Sequence, residues 1–282
     1  MGRRASLNIK FLVMNASVTH LYTYPIKSTI GNSSSSALVT SRGLQYDRQW
    51  GLFDKEGVAV TGRKFQDLLR VGTEISNGNL KITLDGKLVF DVAVTPDSKE
   101  EVPARVFSGH THGIPVSTEI DSWFSDLIQH ECRLLHITDD ILRPVLSKHA
   151  GQEGDSVNFA DQCPILLVSE ASMDDLNAKL DQTIDHRNFR PNIVIAGNTA
   201  FSEDGWNRIR IGACTFMINQ SCERCVFTTI DPDSRLKHPQ QEPLRTLLTY
   251  RRNAKGGPIF GVHMTARELG SIQVGDEVEV LA

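Results

Sequence analysis

Short apolar runs broken by Gly, Asn and Asp turns recur through the first half of this chain, and they leave little room for long helices. Asp54-Lys55-Glu56-Gly57, Ser76-Asn77-Gly78-Asn79 and Leu84-Asp85-Gly86-Lys87 each join two such runs. Asn-Gly and Asp-Gly tolerate the positive φ of a two-residue turn, so these segments predict β-hairpins. From Val18 to about Cys132 the pattern is mostly strand. Ile120 to Gln129 is the exception, with Ile120, Phe124, Leu127 and Ile128 on one helical face. Ser33 to Ser36 and the polar stretch Leu142 to Gly154 read as loops.

The second half opens on a buried-looking run, Pro164 to Val168. Ser169 then predicts a helix start, with Ser172 or Asp175 in the first turn. Asn192 to Ala196 and Ile209 to Asn219 read as strands, Glu242 to Arg251 as a helix, and Asp276 to Leu281 as a closing strand. Many strands, few helices and irregular connections predict a mainly β fold with some α+β elements, a barrel rather than a doubly wound sheet.

Composition narrows the setting. A formal charge of -4 gives no reason to expect nucleic acid or an anionic membrane surface. No apolar run approaches the roughly 20 residues that cross a bilayer. Five cysteines at irregular spacing argue against a disulfide scaffold and for a reducing compartment, here taken as the cytoplasm. A monomer is expected. Residues 1–17 begin with Met1-Gly2-Arg3-Arg4, and their apolar run Phe11 to Met14 is short for a secretory signal. They read as a disordered extension or a mis-set start, with Met14 as the alternative.

Four segments could carry chemistry. Cys222-Glu223-Arg224-Cys225 sits between two strand-like segments. Arg224 adjoins Cys225, and a neighbouring cation favours the thiolate that binds metal or attacks an electrophile. One C-x-x-C supplies only two of the four ligands of a closed zinc site. A thioredoxin-like pair would open a helix, whereas Val226 to Ile230 favour strand. The pair would equally suit two half-buried cysteines of a loop. In Asn188-Phe189-Arg190-Pro191-Asn192, Pro191 predicts an extended Arg190, and Arg190 and Asn192 can offer donors to an anion or a heterocycle. A surface salt bridge is the plainer use of such an Arg. Tyr24-Pro25-Ile26-Lys27-Ser28 and Tyr46-Asp47-Arg48-Gln49-Trp50 add a Lys, a Ser and an Arg. Together these suit a phosphate; separately they are solvated loop charges. His110 and His112 alternate on one strand, which is more often a polar face than a metal site. No Walker loop, dinucleotide fingerprint, H-E-x-x-H or G-x-S-x-G is present.

Taken with Gly43-Leu44, Thr61-Gly62-Arg63, Phe159-Ala160-Asp161, Ser169 to Ser172, Cys222 to Asp231, Phe260-Gly261 and Val274-Gly275-Asp276, these segments make the chain resemble the MOSC family from about Val18 to Ala282. Its two-part members have an N-terminal MOSC-associated β-barrel half, here 18–133, packed with a MOSC β-barrel domain, here 134–282. Within the family the likeness is to the mitochondrial amidoxime-reducing and bacterial N-hydroxylated-base-detoxifying branches. The resemblance implies a molybdenum cofactor, a pterin with a dithiolene and a terminal phosphate. It casts Cys225 as the thiolate on molybdenum, a soft ligand for a sulfur-rich site. Lys27, Ser28 and Arg48 would hold the phosphate or pterin, Arg190 and Asn192 the pterin. Asp161, cast as catalytic, and Cys163 would line the metal side, with Thr61 and Arg63 as further cofactor contacts. Pyridoxal phosphate binding is also implied at family level.

Two departures stand out. Some bacterial relatives carry a C-terminal ferredoxin domain, and this sequence stops at Ala282, so its electron donor is expected to be separate. That donor would be a ferredoxin-type domain or protein, or a cytochrome b5-type protein with its reductase. Gly62 stands where many relatives carry Ala. The resemblance implies an oxidoreductase that reduces small N-hydroxylated compounds. The alternative is a sulfur carrier or cofactor-handling protein that uses Cys225 as persulfide or ligand.

Overall fold

The run after Pro164 shows no polar alternation, so both of its faces need cover, and both have it. Ile165–Ser169 pairs parallel with Ile193–Ala196 and antiparallel with Ile259–Glu268. The computed structural model describes residues 16–107 and 109–281. Among these, seven strands close a barrel. Their order is Ile193–Ala196, Ile165–Ser169, Ile259–Glu268, Cys214–Glu223, Arg208–Ile211, Glu277–Val280 and Ala16–Thr23, and the last pairs back onto the first. Leu21, Leu167, Ile193, Ile209, Phe216 and Met264 are fully buried in its core.

The closing strand comes from the other half of the chain. Ala16–Thr23 pairs with both Glu277–Val280 and Ile193–Ala196, and its register shifts between Val18 and His20. Ala16 and Ser17, counted above with the extension, are thus already strand. The Phe11 to Met14 run and the alternative start at Met14 lie outside the described residues.

The three expected hairpins form: Trp50–Phe53 with Ala59–Val60, and Val71–Ser76, Asn79–Leu84 and Lys87–Ala93 as a meander. Asn77-Gly78 and Asp85-Gly86 take positive φ at both positions, as tight hairpin turns require. The helix Thr118–Ile128 starts where the Ser117 side chain accepts from Glu119 N. It buries Ile120, Phe124 and Ile128 in a core shared with Trp50, Leu68 and Leu134. Ser169 caps the helix Glu170–Asn177 by accepting from Ser172 N. No described helix is long and apolar enough to cross a membrane.

Three expectations are corrected. Ile209 to Asn219 is not one strand: the chain turns at Gly212, φ 54, and Arg208–Ile211 pairs antiparallel with Cys214–Glu223. Ser33 to Ser36 is not a loop. Asn32–Ser34 pairs with Ala16–Thr23, and Ser36–Thr40 pairs with Gly270–Gln273. Backbone ladders formed there because the pairing needs no apolar side chains. Val226 to Ile230 is not a strand but a single 3₁₀ turn, Val226–Thr229. Thr228 and Thr229 hydroxyls donate back to the carbonyls of Cys225 and Val226, and Asn188 Nδ2 donates to Thr228 O and Ile230 O. Local side-chain bonds outweigh β propensity there.

Gly261 marks where the antiparallel ladder of Cys214–Glu223 and Ile259–Glu268 loses register, between Ser221 and Glu223. Its φ is 71, and a Cβ there would stand 2.6 Å from Leu167 O. Gly261→Ala should therefore destabilise the chain by at least about 1 kcal/mol, read as a lower urea midpoint at unchanged m-value.

Candidate active-site cleft

Segments from both halves of the chain meet around a cleft of about 940 Å³. Lys27, Ser28, Arg48, Arg63, Asp161, Cys163, Arg190, Asn192 and Cys225 all line it. Of the residues the resemblance casts as cofactor contacts only Thr61 does not, and His110 and His112 lie at a separate surface hollow. The Thr61 carbonyl accepts from Lys64 N and Phe65 N, and so shapes the turn behind Arg63. Among the described residues no group of three His, Cys, Asp or Glu is arranged to hold a metal ion.

The floor is a charge cluster. Lys27 Nζ donates to Asp161 Oδ1 at 2.5 Å and to Phe159 O at 2.9 Å, and Arg63 Nη2 donates to Asp161 Oδ2 at 2.8 Å. Burial alone would raise the Asp161 carboxyl, but Lys27 and Arg63 outweigh it and hold the group well below the usual carboxylate range. Asp161 is thus a fixed anion, and neither cation is idle. An ionised Asp161 stabilises the folded chain above its unfolded-state value of about 3.9, and that contribution is lost as the pH falls below it. Asp161→Asn leaves buried Lys27 without its counter-charge. The cost at pH 7 should be on the order of 1–2 kcal/mol, discounted because the Asp161 side chain keeps 39% of its surface. The gap between variant and parent should narrow as urea midpoints are followed from about pH 5 downward.

The wall is strained backbone. Ser28, Arg48 and Arg190 all take positive φ, at 71, 48 and 56. For residues with a Cβ this conformation is costly, and it persists where surrounding contacts enforce it. Asp47 is the fixed point: it accepts from Tyr24 N at 2.9 Å and from Arg48 Nη1 at 2.6 Å. Arg48 also donates to Asn192 Oδ1 and Arg190 O. The Arg48 and Arg190 guanidinium carbons sit 4.2 and 4.0 Å from the centroid of the Tyr24 ring. Arg190 is therefore left-handed rather than extended, against the preference set by Pro191. The Tyr24 contact and the bond from Nη1 to Thr29 O hold it so. Burial draws the Arg190 guanidinium down to about 10. Its Nη2 is buried with no hydrogen-bond partner. Asn192, by contrast, is spent: Oδ1 accepts from Arg48 and Leu166 N, and Nδ2 donates to Tyr22 O.

The far side carries the cysteines. Cys222 ends the strand Cys214–Glu223 and is buried; Cys225 is exposed. Arg224 does not serve Cys225 as its sequence position suggested. Nη1 donates to Cys222 Sγ at 2.8 Å and Nη2 to Phe189 O at 2.6 Å. Burial raises the Cys222 thiol while Arg224 works against that rise. The backbone turn at Val226 leaves the Cys225 thiol facing the cleft mouth rather than packed along a strand. Phe227 lies over Gly62, where an added Cβ would meet its ring at 2.8 Å.

Sequence reasoning missed Arg143 and Tyr24. Arg143 is buried and donates to the carbonyls of Asn158, Ala160 and Asp161, so it casts the loop that presents Asp161. Its position in a polar stretch gave no sign of this. Tyr24 stood in a quoted segment, and its aromatic ring beside two arginines was the available signal. His149, Gln162, Gln220 and His263 also line the cleft and were not singled out.

The N-terminal part and the rest of the chain match two known families. Residues 15–131 match the MOSC N-terminal beta barrel domain, and residues 154–279 the MOSC domain. Mitochondrial amidoxime-reducing component 1 of Mus musculus is 34% identical over 280 residues, covering 94% of this chain and 82% of that protein. Mitochondrial amidoxime reducing component 2 of Homo sapiens is 31% identical, covering 93% and 82%. The YUAD protein from Bacillus subtilis superposes at TM-score 0.45 and 10% identity over 94% of each chain, too loosely to bear on function. With both parts matched in order and full-length relatives above 30% identity, the chain belongs to the MOSC family.

Proposed function

We propose that this chain is a reductase of N-hydroxylated compounds (hydroxylamines, amidoximes, N-hydroxylated bases) that carries a molybdenum cofactor in the cleft and takes electrons from a separate donor. One observation carries the reading. An exposed thiol, Cys225, and a guanidinium with a buried spare donor, Arg190, line the same cleft. The relatives' names, amidoxime-reducing components, support the substrate class.

The residues present fit the cofactor. Arg190 Nη2, buried and unpartnered, is a donor waiting for an anion, as a terminal phosphate would be. Ser28 and Arg48 flank it, and the cation–π stack on Tyr24 holds both guanidinium groups in place. Lys27 and Arg63 both bond Asp161, so we read them as keeping that carboxylate ionised and fixed. Asn192 positions Arg48 rather than a ligand. Cys225 is the candidate metal ligand. When bound, the cofactor would supply the two-electron chemistry by which N–OH, two electrons and two protons become N–H and water. We take the two parts of the chain as 18–133 and 134–282, working as a monomer. The five free cysteines suit a reducing compartment, the cytoplasm or the organelle in the relatives' names.

Protein from a cofactor-making host should carry about one molybdenum per chain. Elemental analysis that found none, with zinc at full occupancy, would end this reading. A carrier role for Cys225 is the second reading, favoured by the exposure of its thiol. It would lead if fully loaded protein stayed inert with every donor. The isolated chain should show no NADPH-dependent turnover. It should reduce an amidoxime with reduced viologen, or with a ferredoxin- or cytochrome b5-type partner and its reductase. Turnover with NADPH alone would reveal a redox site of another kind.

A further inference from the structure

Reduction of an N–OH group needs a proton at the departing oxygen, and most titratable groups in the cleft are unable to give one. Asp161 is locked as an anion between Lys27 and Arg63. Lys27 is tied to Asp161 and Phe159 O. Burial pushes the Cys163 thiol up to about 12 and raises Cys222 as well. Burial, with Arg224 adding to it, brings His263 down to about 4, so it stays neutral. The Glu223 carboxylate accepts from Asn253 Nδ2 at 2.7 Å.

His149 is different. It lines the cleft half-buried, on the short turn Ser147–His149. Its Nδ1 lies 3.2 Å from Gln220 Nε2, and the same amide nitrogen donates to Gln162 Oε1 at 3.1 Å. Both glutamines line the cleft too. We propose, resting on the reductase reading above, that His149, held through Nδ1 by Gln220 and Gln162, delivers the proton to the hydroxyl oxygen of an N–OH substrate.

As placed, the Gln220 amide offers N–H to Nδ1, which fixes the neutral ring with its proton on Nε2. Turning the two amides puts the Gln220 oxygen on Nδ1–H and leaves Nε2 to release and regain a proton. The charged ring gives that proton to oxygen as the N–O bond breaks. Oxygen leaves as water, the second proton reaches nitrogen from solvent, and the external donor is oxidised by two electrons. The ring recovers its proton from solvent. Burial holds the imidazole below its ordinary value, and Lys148, His263 and Arg143 press in the same direction, while Gln220 opposes them. The charged ring is therefore a ready acid. Its backbone has separate duties: His149 O accepts from Cys163 Sγ and Ala150 O from Asn219 Nδ2. A side-chain change leaves these in place.

The test uses His149→Gln and His149→Ala in the full, cofactor-loaded chain, with benzamidoxime and reduced viologen. The rate kcat should fall about 100-fold, the usual reach of general acid catalysis, with KM little changed. The parent's fall in kcat toward alkaline pH should vanish in His149→Gln, and imidazole in the buffer should restore part of the rate to His149→Ala. Bound pterin should match the parent. In the cofactor-free chain, NMR should show the His149 ring titrating below 6.5. If the parent turns over and both variants keep its kcat and pH profile, His149 is not the donor and the reductase reading stands. Variants that lose pterin along with rate would make His149 structural and overturn the proposal. A loaded parent that reduces no N–OH compound would remove both.

Discussion

Cys225→Ser should reduce no amidoxime above background even when the host supplies cofactor. Losing a metal ligand should exceed the roughly 100-fold that loss of an outer-shell partner can cost. Cys222→Ser should keep most of the activity. Cys222 is buried near the strand end; its Sγ donates to Glu223 O and accepts from the Arg224 guanidinium, which also holds Phe189 O. A serine oxygen accepts from Arg224 as sulfur does, so the turn that presents Cys225 persists. Equal losses from the two changes, with intact folding, would point instead to a redox pair or a shared metal.

Arg190→Ala should strip the pterin while leaving a folded chain. The side chain offers a phosphate at least one charge-assisted bond, worth about 1.5–3 kcal/mol, or more than tenfold in dissociation constant. Arg48→Ala should act in the same direction and add the loss of Asp47's partner. Arg210, exposed and paired with Glu279 across neighbouring strands, is the control. Arg210→Ala should cost about 0–1 kcal/mol and leave cofactor content unchanged. Pterin retained through gel filtration, read beside urea midpoints, separates the outcomes. Arg190→Ala that kept its pterin but unfolded early would make the arginine a strut between Thr29 and Tyr24.

What could be read from sequence was local. Asn77-Gly78 and Asp85-Gly86 dictate hairpin turns by backbone sterics alone, and Ser169 needs only its own helix to cap. The run Ile165 to Val168 declares burial on both faces by its composition. The errors arose where distant partners decide. Pro191 disfavours the left-handed Arg190, and Tyr24, far back in the chain, overrides it. Arg224 is next to Cys225 in sequence, yet the end of a long strand turns its side chain to Cys222. Val226 to Ile230 has strand propensity, but Asn188 reaches across to cap a tight turn. Gly212 was a visible break in Ile209 to Asn219, and its positive φ had no apolar pattern to announce it. The cleft itself was legible as separate charged segments; the sequence could not show that Lys27 and Arg63 answer to Asp161 before any ligand.

The strand that closes the barrel is made long before the partners that seat it. Ala16–Thr23 pairs with Ile193–Ala196 and Glu277–Val280, both far further along the chain. Pairings so far apart in sequence form slowly, and the unpaired strand edge stays open to aggregation meanwhile. The same strand runs directly into Tyr24, Lys27 and Ser28. Closure of the barrel and assembly of the Arg48 and Arg190 wall are therefore one late event. A cofactor of the kind proposed above would find its pocket finished only once that strand is seated.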